Sequence, residues 1–313
     1  MNPYIRHIFQ FIPASSASLG HIIKKERPPW HHLVIDLEDA LLDVNNEAHT
    51  KSIKQKARLL ILKCFENTSL VNNKTIGLRI NSLHSGEFDN DLALLNSLKH
   101  RVTWGFVVIP KMERYGDLTI YEKSFKGLGL SFNEIIPVIE TVAGLKACKR
   151  IFSNQLSLPL NRCFWGHHDY NLDAGYWPFP EQESETYWEN TTRLINSLTI
   201  NGVSFINGPI VVSQSTSFIR QVFHRTRKLC GKPFDQAVIS FSQISLFNAA
   251  CQPDEDTAPL NTVNEHTAYE IVKAFEQYNR SGLSFGYDAG QRLFISPQKY
   301  LCAKKYLSQN PII

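Results

Sequence analysis

Short apolar runs alternate with longer amphipathic segments along most of the chain. Runs such as HLVID, TIGLR and EIIPVIE are largely apolar rather than alternating between apolar and polar residues. Strands buried on both faces have this composition, which is typical of parallel sheets covered by helices. The pattern predicts eight strands, at Ile8–Pro13, Leu33–Leu37, Thr75–Ile80, Gly105–Ile109, Ile135–Ile139, Cys163–Gly166, Val203–Ile206 and Gln236–Ser240.

Segments with apolar residues near helical spacing separate these strands. They predict helices at Asn46–Phe65, Asp89–Leu98, Val142–Phe152, Thr186–Leu198, Ser217–Leu229 and Thr267–Tyr278. Strands and helices that alternate over about 250 residues match a (β/α)8 (TIM) barrel, and an open doubly wound sheet is the alternative. The sequence contains neither G-x-G-x-x-G nor a P-loop motif, so the usual nucleotide-binding reasons for an open sheet are absent. We therefore predict an α/β fold, with a TIM barrel over residues 1–245 and a helical C-terminal extension over 246–313 that can pack on a neighbouring subunit.

Composition and charge exclude several classes of protein. The 313 residues carry 33 Lys and Arg against 29 Asp and Glu, and a net charge of +4 without a basic run does not indicate binding to nucleic acid or to an anionic membrane. No apolar segment approaches the roughly 18 residues that a transmembrane helix needs. The six cysteines are scattered without a C-x-x-C pair, which is typical of buried thiols in a reducing compartment. We therefore expect a cytoplasmic protein.

Polar side chains stand at the C-terminal ends of five consecutive predicted strands. They are Asp36, Glu38 and Asp39 at the second strand, Arg79 and Asn81 at the third, Lys111 at the fourth, Glu140 at the fifth, and His167, His168 and Asp169 at the sixth. In a TIM barrel these ends converge on one mouth, where the active sites of such barrels lie. Loops are polar in any protein, but that explanation accounts poorly for five strand ends in succession. We expect a functional site at this mouth.

The carboxylates at this mouth indicate a divalent cation. Arg79 and Lys111 are the fixed cations expected beside them. Two cations cannot balance four or more carboxylates, which would repel one another. Oxygen ligands select Mg²⁺ over zinc or copper, and Glu140 and Asp169 on adjacent strands are the expected pair of ligands. By itself, Glu140 would be interpreted as a first-turn carboxylate that stabilises the following helix.

A zinc or iron site at His167, His168 and Asp169 is the rival interpretation. Adjacent residues of a strand point to opposite faces, so at most one histidine would join Asp169. Neither H-E-x-x-H nor a facial-triad spacing supports such a site. We expect His168 to line the mouth or to bind a carboxylate, and His167 to pack in the interior.

Six motifs occur in an order typical of one enzyme family. They are FQFIPAS, VIDLEDALLD followed by KQKAR, GLRINS, VVIPKMER, PVIETVAGL and FWGHHDYNLDAG. In this order they resemble motifs of citrate lyase β subunits and their relatives in the HpcH/HpaI aldolase group, and the DLEDA segment is the most specific of them. The resemblance covers almost the whole chain and implies a Mg²⁺-dependent carbon–carbon lyase on a TIM barrel.

The resemblance also implies roles for individual residues. Arg79 would clamp a substrate carboxylate or carbonyl, Glu140 and Asp169 would hold Mg²⁺, and Glu38 would pair with Arg79 or with a metal-bound water. The implied catalytic residues are Arg79, Glu38 and Asp39, and the implied substrate-binding residues are Arg79, Lys111, Asp36 and His168. The implied substrate is a small oxo- or hydroxy-acid or its coenzyme A thioester, such as citryl-, malyl- or citramalyl-CoA. The implied assembly is a homotrimer with C-terminal segments that cross between subunits.

The second half of the chain departs from the family pattern. The segment that corresponds to I-H-P-S-Q-I is ISFSQI at 239–244, which lacks the His and the Pro. The second Asp of the family's C-terminal hairpin falls near Ile295, and Asp288 is the carboxylate that remains there. These changes concern the parts that handle the thioester, so the use of coenzyme A stays open. The alternative is a diverged barrel that binds a metal or an oxo-acid as an accessory protein, or that acts on a non-CoA substrate.

Overall fold

The eight predicted strands form a closed parallel barrel in a computed structural model, which describes residues 3–66, 71–153, 159–211, 215–251, 267–278, 286–288 and 293–310. Each strand pairs with the next along the chain, and the last pairs with the first. The strands are β1 (Ile5–Pro13), β2 (His31–Asp36), β3 (Val71–Arg79), β4 (Val102–Ile109), β5 (Glu134–Ile139), β6 (Arg162–Trp165), β7 (Ser204–Asn207) and β8 (Phe234–Val238). The prediction of a TIM barrel over an open sheet is confirmed.

Helices surround the barrel and continue beyond it. They are α1 (Leu19–Lys24), α2 (Glu47–Phe65), α3 (Phe88–Leu98), α4 (Tyr115–Gly127), α5 (Val142–Phe152), α6 (His167–Ala174), α7 (Glu185–Ile200), α8 (Thr216–Cys230), α9 (Phe241–Ala250), α10 (Ala268–Tyr278) and α11 (Pro297–Gln309). The sequence pattern missed α1, α4, α6 and α9, and it predicted α11 only as part of a helical extension. In α4, which has a glycine at each end, a narrow stripe of Leu118, Tyr121 and Phe125 is buried. The predicted boundary at residue 245 lies inside α9, which packs against α8 and β8, so the helical layer of the barrel extends to Ala250.

The barrel interior is filled by side chains. Phe9, Phe106 and Phe164 from three strands meet edge to face, with ring centroids 5.3–5.5 Å apart. Gly77 on β3 permits this packing, because a Cβ at this position would lie 2.3 Å from the Phe106 ring. The interior is thus a packed core rather than a channel, and the open space lies at one end of the barrel.

A network of ion pairs lies at the N-terminal end of the barrel. Arg6 binds Asp235 at 2.8 Å, and Arg162 binds Glu134 and lies 4.8 Å from the centroid of the Phe9 ring. His31 and His32, which the sequence placed before the second strand, are buried within β2. Interactions at this end of a TIM barrel usually contribute to stability rather than catalysis.

The C-terminal extension contains helices, as predicted, and also a short antiparallel hairpin of β9 (Gly286–Asp288) and β10 (Leu293–Ile295). Helices α10 and α11 pack on each other, and α11 also packs on α6 of the same chain. This packing brings the extension to the end of the barrel where β6 ends. Within the described residues, no helix is long and apolar enough to cross a membrane.

Candidate active site

The C-terminal ends of the barrel strands surround a cavity of about 1150 Å³. Six of the predicted site residues line it: Asp36, Asp39, Arg79, Glu140, His168 and Asp169. The other two, Glu38 and Lys111, form ion pairs with residues of this group. The structure therefore brings together all eight of these residues, whereas Asn81, also at a strand end, binds Asp91 and Lys54 instead of lining the cavity.

Asp36 holds Arg79 through two parallel contacts. Its Oδ1 accepts a hydrogen bond from Nε at 2.7 Å, and its Oδ2 lies 2.5 Å from Nη2. The same carboxylate accepts backbone hydrogen bonds from Glu38 at 2.9 Å and Ala40 at 3.3 Å. Asp36 therefore orients the guanidinium, with both of its oxygens occupied by the protein. A direct contact of Asp36 with substrate, which the resemblance implied, stays a prediction without support from this geometry.

The remaining face of the Arg79 guanidinium meets two more carboxylates. Its Nη1 lies 3.1 Å from Glu38 Oε2 and 3.3 Å from Asp39 Oδ2. Burial and the charge of Asp39 raise the pKa of Glu38 to about 8, although Arg79 and Lys111 oppose this rise. A carboxyl group with such a pKa can both accept and donate a proton near neutral pH.

The carboxyl groups of Asp39 and Asp169 are close enough that each affects the pKa of the other. Burial and the Asp39 charge raise the pKa of Asp169 to about 7. Burial also disfavours the charged form of Asp39, but Arg79 and Lys111 outweigh it, and the pKa of Asp39 is lowered. The two carboxyl groups therefore titrate as a coupled pair, in which Asp169 takes up a proton more readily than Asp39.

Glu140 is fixed by its neighbours on β4 and β6. Its Oε1 accepts the backbone N–H of Lys111 at 2.7 Å, and a Cβ on Gly166 would lie 2.4 Å from Oε2. The side chain of Thr141, not that of Glu140, caps helix α5. Burial, Asp169 and Glu38 raise the pKa of Glu140. The carboxylate is thus directed into the mouth and is not the helix-stabilising residue of the alternative interpretation.

Lys111 provides the second cation of the site. Its Nζ lies 3.6 Å from Asp169 Oδ1 and 3.9 Å from Glu38 Oε1. Its backbone φ of 51° is in the left-handed region, where non-glycine residues are uncommon. Strained backbone of this kind is concentrated at functional sites, where the surrounding structure holds it in place.

The two histidines lie in the first turn of α6, not in a strand as expected. Their rings meet edge to face with centroids 4.3 Å apart. Burial lowers the pKa of His168 to about 4 and holds the pKa of His167 well below its usual value, so both rings are neutral at pH 7. His168 Nε2 is buried without a hydrogen-bond partner in the described part of the chain. A substrate contact through His168 stays a prediction.

Sequence reasoning did not assign three residues that lie beside this cluster. Lys54 on α2 belongs to the quoted KQKAR segment, and its ammonium donates to Asn81. Burial lowers the pKa of Lys54, although Glu38 and Asp39 oppose this. Gln298 on α11 donates to Asp169 Oδ2 at 2.9 Å, and its neighbour Lys299 binds buried Glu181 at 2.8 Å. The spacing of Lys54 was visible, but the sequence carried no signal that α11 reaches the mouth.

The donor set fits a hard divalent cation better than a transition metal. The candidate ligands, Glu140 and Asp169, are carboxylates from adjacent strand ends. Burial raises both of their pKa values, with a further rise from Asp169 at Glu140 and from Asp39 at Asp169. Mg²⁺ takes one or two protein carboxylates and completes its shell with water and substrate. Among the described residues, no group of three or more His, Cys, Asp and Glu is arranged as a metal cage, so a zinc-type site has no support here.

Solved structures share this fold. RipC from Yersinia pestis matches with a TM-score of 0.56 and 22% identity, over 81% of this chain and 98% of that chain. The citrate lyase β subunit of M. tuberculosis, complexed with oxaloacetate and magnesium, matches with a TM-score of 0.56 and 15% identity, over 81% of this chain and 100% of that chain. A Haloferax volcanii malate synthase pyruvate/acetyl-CoA ternary complex matches with a TM-score of 0.71 and 15% identity, over 98% of this chain and 91% of that chain. At these identities the likeness establishes the fold.

The family is established by sequence. A comparison with curated proteins finds no match. The family model described as HpcH/HpaI aldolase/citrate lyase matches residues 7–224, which is most of the chain and includes every predicted site residue. This match supports a lyase-type enzyme, while citrate lyase specificity is a separate question. The chain belongs to the HpcH/HpaI aldolase/citrate lyase family.

Proposed function

We propose that this protein is a Mg²⁺-dependent carbon–carbon lyase that acts on a small hydroxy- or oxo-acid. The observation that carries the proposal is the crowding of Glu38, Asp39, Glu140 and Asp169 in one buried cluster with two ion-paired cations, Arg79 and Lys111. Such crowding costs stability, because buried like charges raise one another's pKa. A bound divalent cation would balance the carboxylates, and an acidic substrate would pair with the cations of the cluster.

Glu140 and Asp169 would hold Mg²⁺, which supplies a Lewis acid for an oxygen of the substrate when it is bound. Arg79 would offer Nη1 to the substrate, while Asp36 fixes its Nε and Nη2. In the cleavage direction the substrate hydroxyl loses its proton, the carbon–carbon bond breaks to give a carbonyl product and an enolate, and the enolate carbon takes up a proton. Glu38, whose pKa of about 8 suits transfer in both directions, would hold the proton.

The substrate and the assembly are finer points of the same proposal. The malate synthase and citrate lyase β structures contain pyruvate with acetyl-CoA and oxaloacetate with magnesium, respectively, which supports an oxo-acid as the ligand of Arg79. The homotrimer and the cytoplasmic location stay predictions, and sedimentation equilibrium measures the first. In the described residues α11 packs on its own barrel, so a crossing C-terminal segment has no support from the fold of one chain.

The proposal is tested by lyase assays on a panel of 3-hydroxyacyl-CoA thioesters and their free acids, with Mg²⁺ or with a chelator. We expect turnover that requires Mg²⁺, a Mg²⁺-dependent rise in Tm of the wild type, and the loss of both effects in Asp169→Asn. Loss of a ligand should lower kcat/KM at least about 100-fold. Asp89→Asn, a change at an exposed carboxylate of α3, should behave as the wild type.

The outcomes separate the candidate functions. An equal response of the Tm to Mg²⁺ in the wild type and in Asp169→Asn would contradict the metal assignment. Mg²⁺ and oxo-acid binding without turnover of any thioester or free acid would favour the accessory protein over the enzyme.

A further inference from the structure

Charge is distributed unevenly around the mouth of the barrel. The charged side chains that line the cavity come from the ends of β2, β3, β5 and β6. The opposite half, formed by β1 and by the ends of β7 and β8 with the first turns of α9, contributes only uncharged residues to the lining within the described parts of the chain. The cavity therefore has an ionic half and a neutral half.

The neutral half has an apolar floor and a rim of hydroxyl groups. Val211 and Ala237 are buried in the floor, with Ile239 and Leu246 beside them. The rim contains Ser240, Ser242 and Ser245, of which the first two are hydrogen-bonded to each other at 2.8 Å.

The amide of Gln243, the other polar group of this half, is occupied by the protein. Its Oε1 accepts from the N–H of Ile239, and its Nε2 donates to the carbonyl of Ile210, each at 2.8 Å. No lysine or arginine of the described residues lines this half. A charged group placed here would lose water without gaining a partner, whereas each buried methylene would gain about 0.8 kcal/mol.

We infer that the substrate carries an uncharged, mainly aliphatic tail that lies in this neutral half, while its carboxylate or oxo group meets the ionic half. This inference rests on the proposed function and specifies its substrate class. It favours 2-oxo and 3-hydroxy acids with aliphatic side chains over dicarboxylic acids. The pantetheine arm of coenzyme A is also uncharged, so competition by coenzyme A is a separate arm of the test.

The experiment measures the Kd of 2-oxo acids by calorimetry with Mg²⁺ present. The series comprises pyruvate, 2-oxobutanoate, 2-oxopentanoate and 2-oxohexanoate. We expect Kd to fall about fourfold per added methylene, the factor that corresponds to ~0.8 kcal/mol. 2-Oxoglutarate, in which a carboxylate replaces the terminal methyl group of 2-oxopentanoate, should bind at least about tenfold more weakly than that acid.

A variant with an added cation tests the same point in reverse. Ser245→Arg places a guanidinium on the rim and should reverse the preference within the matched pair in favour of 2-oxoglutarate. Asn248→Arg adds the same charge to an exposed position of α9 outside the cavity lining and should leave the preference unchanged. A change in overall stability would affect both acids equally, so the ratio of the two Kd values remains informative.

Three results would overturn the inference. They are equal or tighter binding of 2-oxoglutarate by the wild type, a Kd independent of tail length, and competition between free coenzyme A and 2-oxohexanoate. The first two would leave the proposed lyase standing with another substrate class, and the third would assign the neutral half to the thioester arm. If none of the acids binds with Mg²⁺ present, the oxo-acid part of the proposed function fails, and this inference fails with it.

Discussion

At the scale of single residues, backbone groups of neighbouring strand ends fix the acidic side chains of the mouth. Glu140 accepts the N–H of Lys111, and Asp36 accepts those of Glu38 and Ala40. Hydrogen bonds to carboxylates are stronger than those between neutral groups, so they hold these side chains in one geometry. The position of a candidate metal ligand such as Glu140 therefore depends on the neighbouring backbone as well as on its own side chain.

Gly166→Ala should displace Glu140 without removing it. The added methyl would lie 2.4 Å from Oε2, and a clash with a buried carboxylate cannot be relieved by solvent. We expect the Mg²⁺-dependent rise in Tm to fall by half or more, with a loss of roughly 1–3 kcal/mol of stability. Gly116→Ala, where a Cβ meets nothing within 4 Å, is the matched control, and an equal response of both variants to Mg²⁺ would contradict the role of Glu140.

At the scale of elements, β2 carries different chemistry at its two ends. Its C-terminal end leads into the carboxylates of the mouth, and its N-terminal end places His31 and His32 in the packed base. His32 stacks on Phe9 with ring centroids 4.6 Å apart, and both of its buried ring nitrogens lack a partner among the described residues. Burial, followed by the charge of Arg162, lowers the pKa of His32 to about 3.

This shift predicts that stability falls as the pH falls from about 6.5 toward 3. Over that range the unfolded state binds a proton at His32 that the folded state excludes. His32→Phe removes this contribution, so between pH 7.5 and pH 5 the variant should lose about 2 kcal/mol less stability in urea titrations than the wild type. His21→Phe, at an exposed site, should retain the wild-type slope. If the free energy of unfolding of the wild type and of His32→Phe changed equally with pH, His32 would not be the source of this pH dependence.

At the scale of the whole molecule, the C-terminal extension is fastened to the barrel beside the mouth. Gln298 donates to Asp169, and Lys299 binds Glu181, whose side chain is 2% exposed. Because breaking a buried pair leaves an uncompensated charge, this attachment should join the extension and the barrel in one cooperative unit. The attachment also places polar groups of α11 against a candidate metal ligand.

Lys299→Gln should uncouple the extension from the barrel. We expect a loss of roughly 2–4 kcal/mol of stability, less than a fully buried pair would give because Lys299 is 14% exposed. Hydrogen exchange should accelerate in α10 and α11 and remain slow in the barrel strands. Lys305→Gln, at an exposed position of α11, is the control. Equal acceleration in the barrel strands would show that the pair stabilises the whole chain and does not act as a local fastening.

The sequence predicted the barrel strands more completely than the helices and the hairpin outside them. Strands buried on both faces are apolar throughout, so all eight were found, with ends that differ by at most four residues. Among the missed helices, α4 has a narrow apolar stripe, and α6 begins with the His-His-Asp run that resembles a strand end. The family resemblance implied a hairpin where β9 and β10 lie, but the hydrophobic pattern did not predict it, since each of its strands has only three residues.

By itself the sequence determined the closed barrel and the mouth where Asp36, Arg79, Glu140 and Asp169 meet, because strand polarity places every strand end at one side. Tertiary structure alone decided how these groups pair: that Asp36 is occupied by Arg79, that Asp39 raises the pKa of Asp169, and that Gln298 reaches the cluster from α11. It also decided that the far half of the cavity is uncharged. Periodicity reports which face of an element is buried, whereas pairing depends on distances between segments remote in sequence.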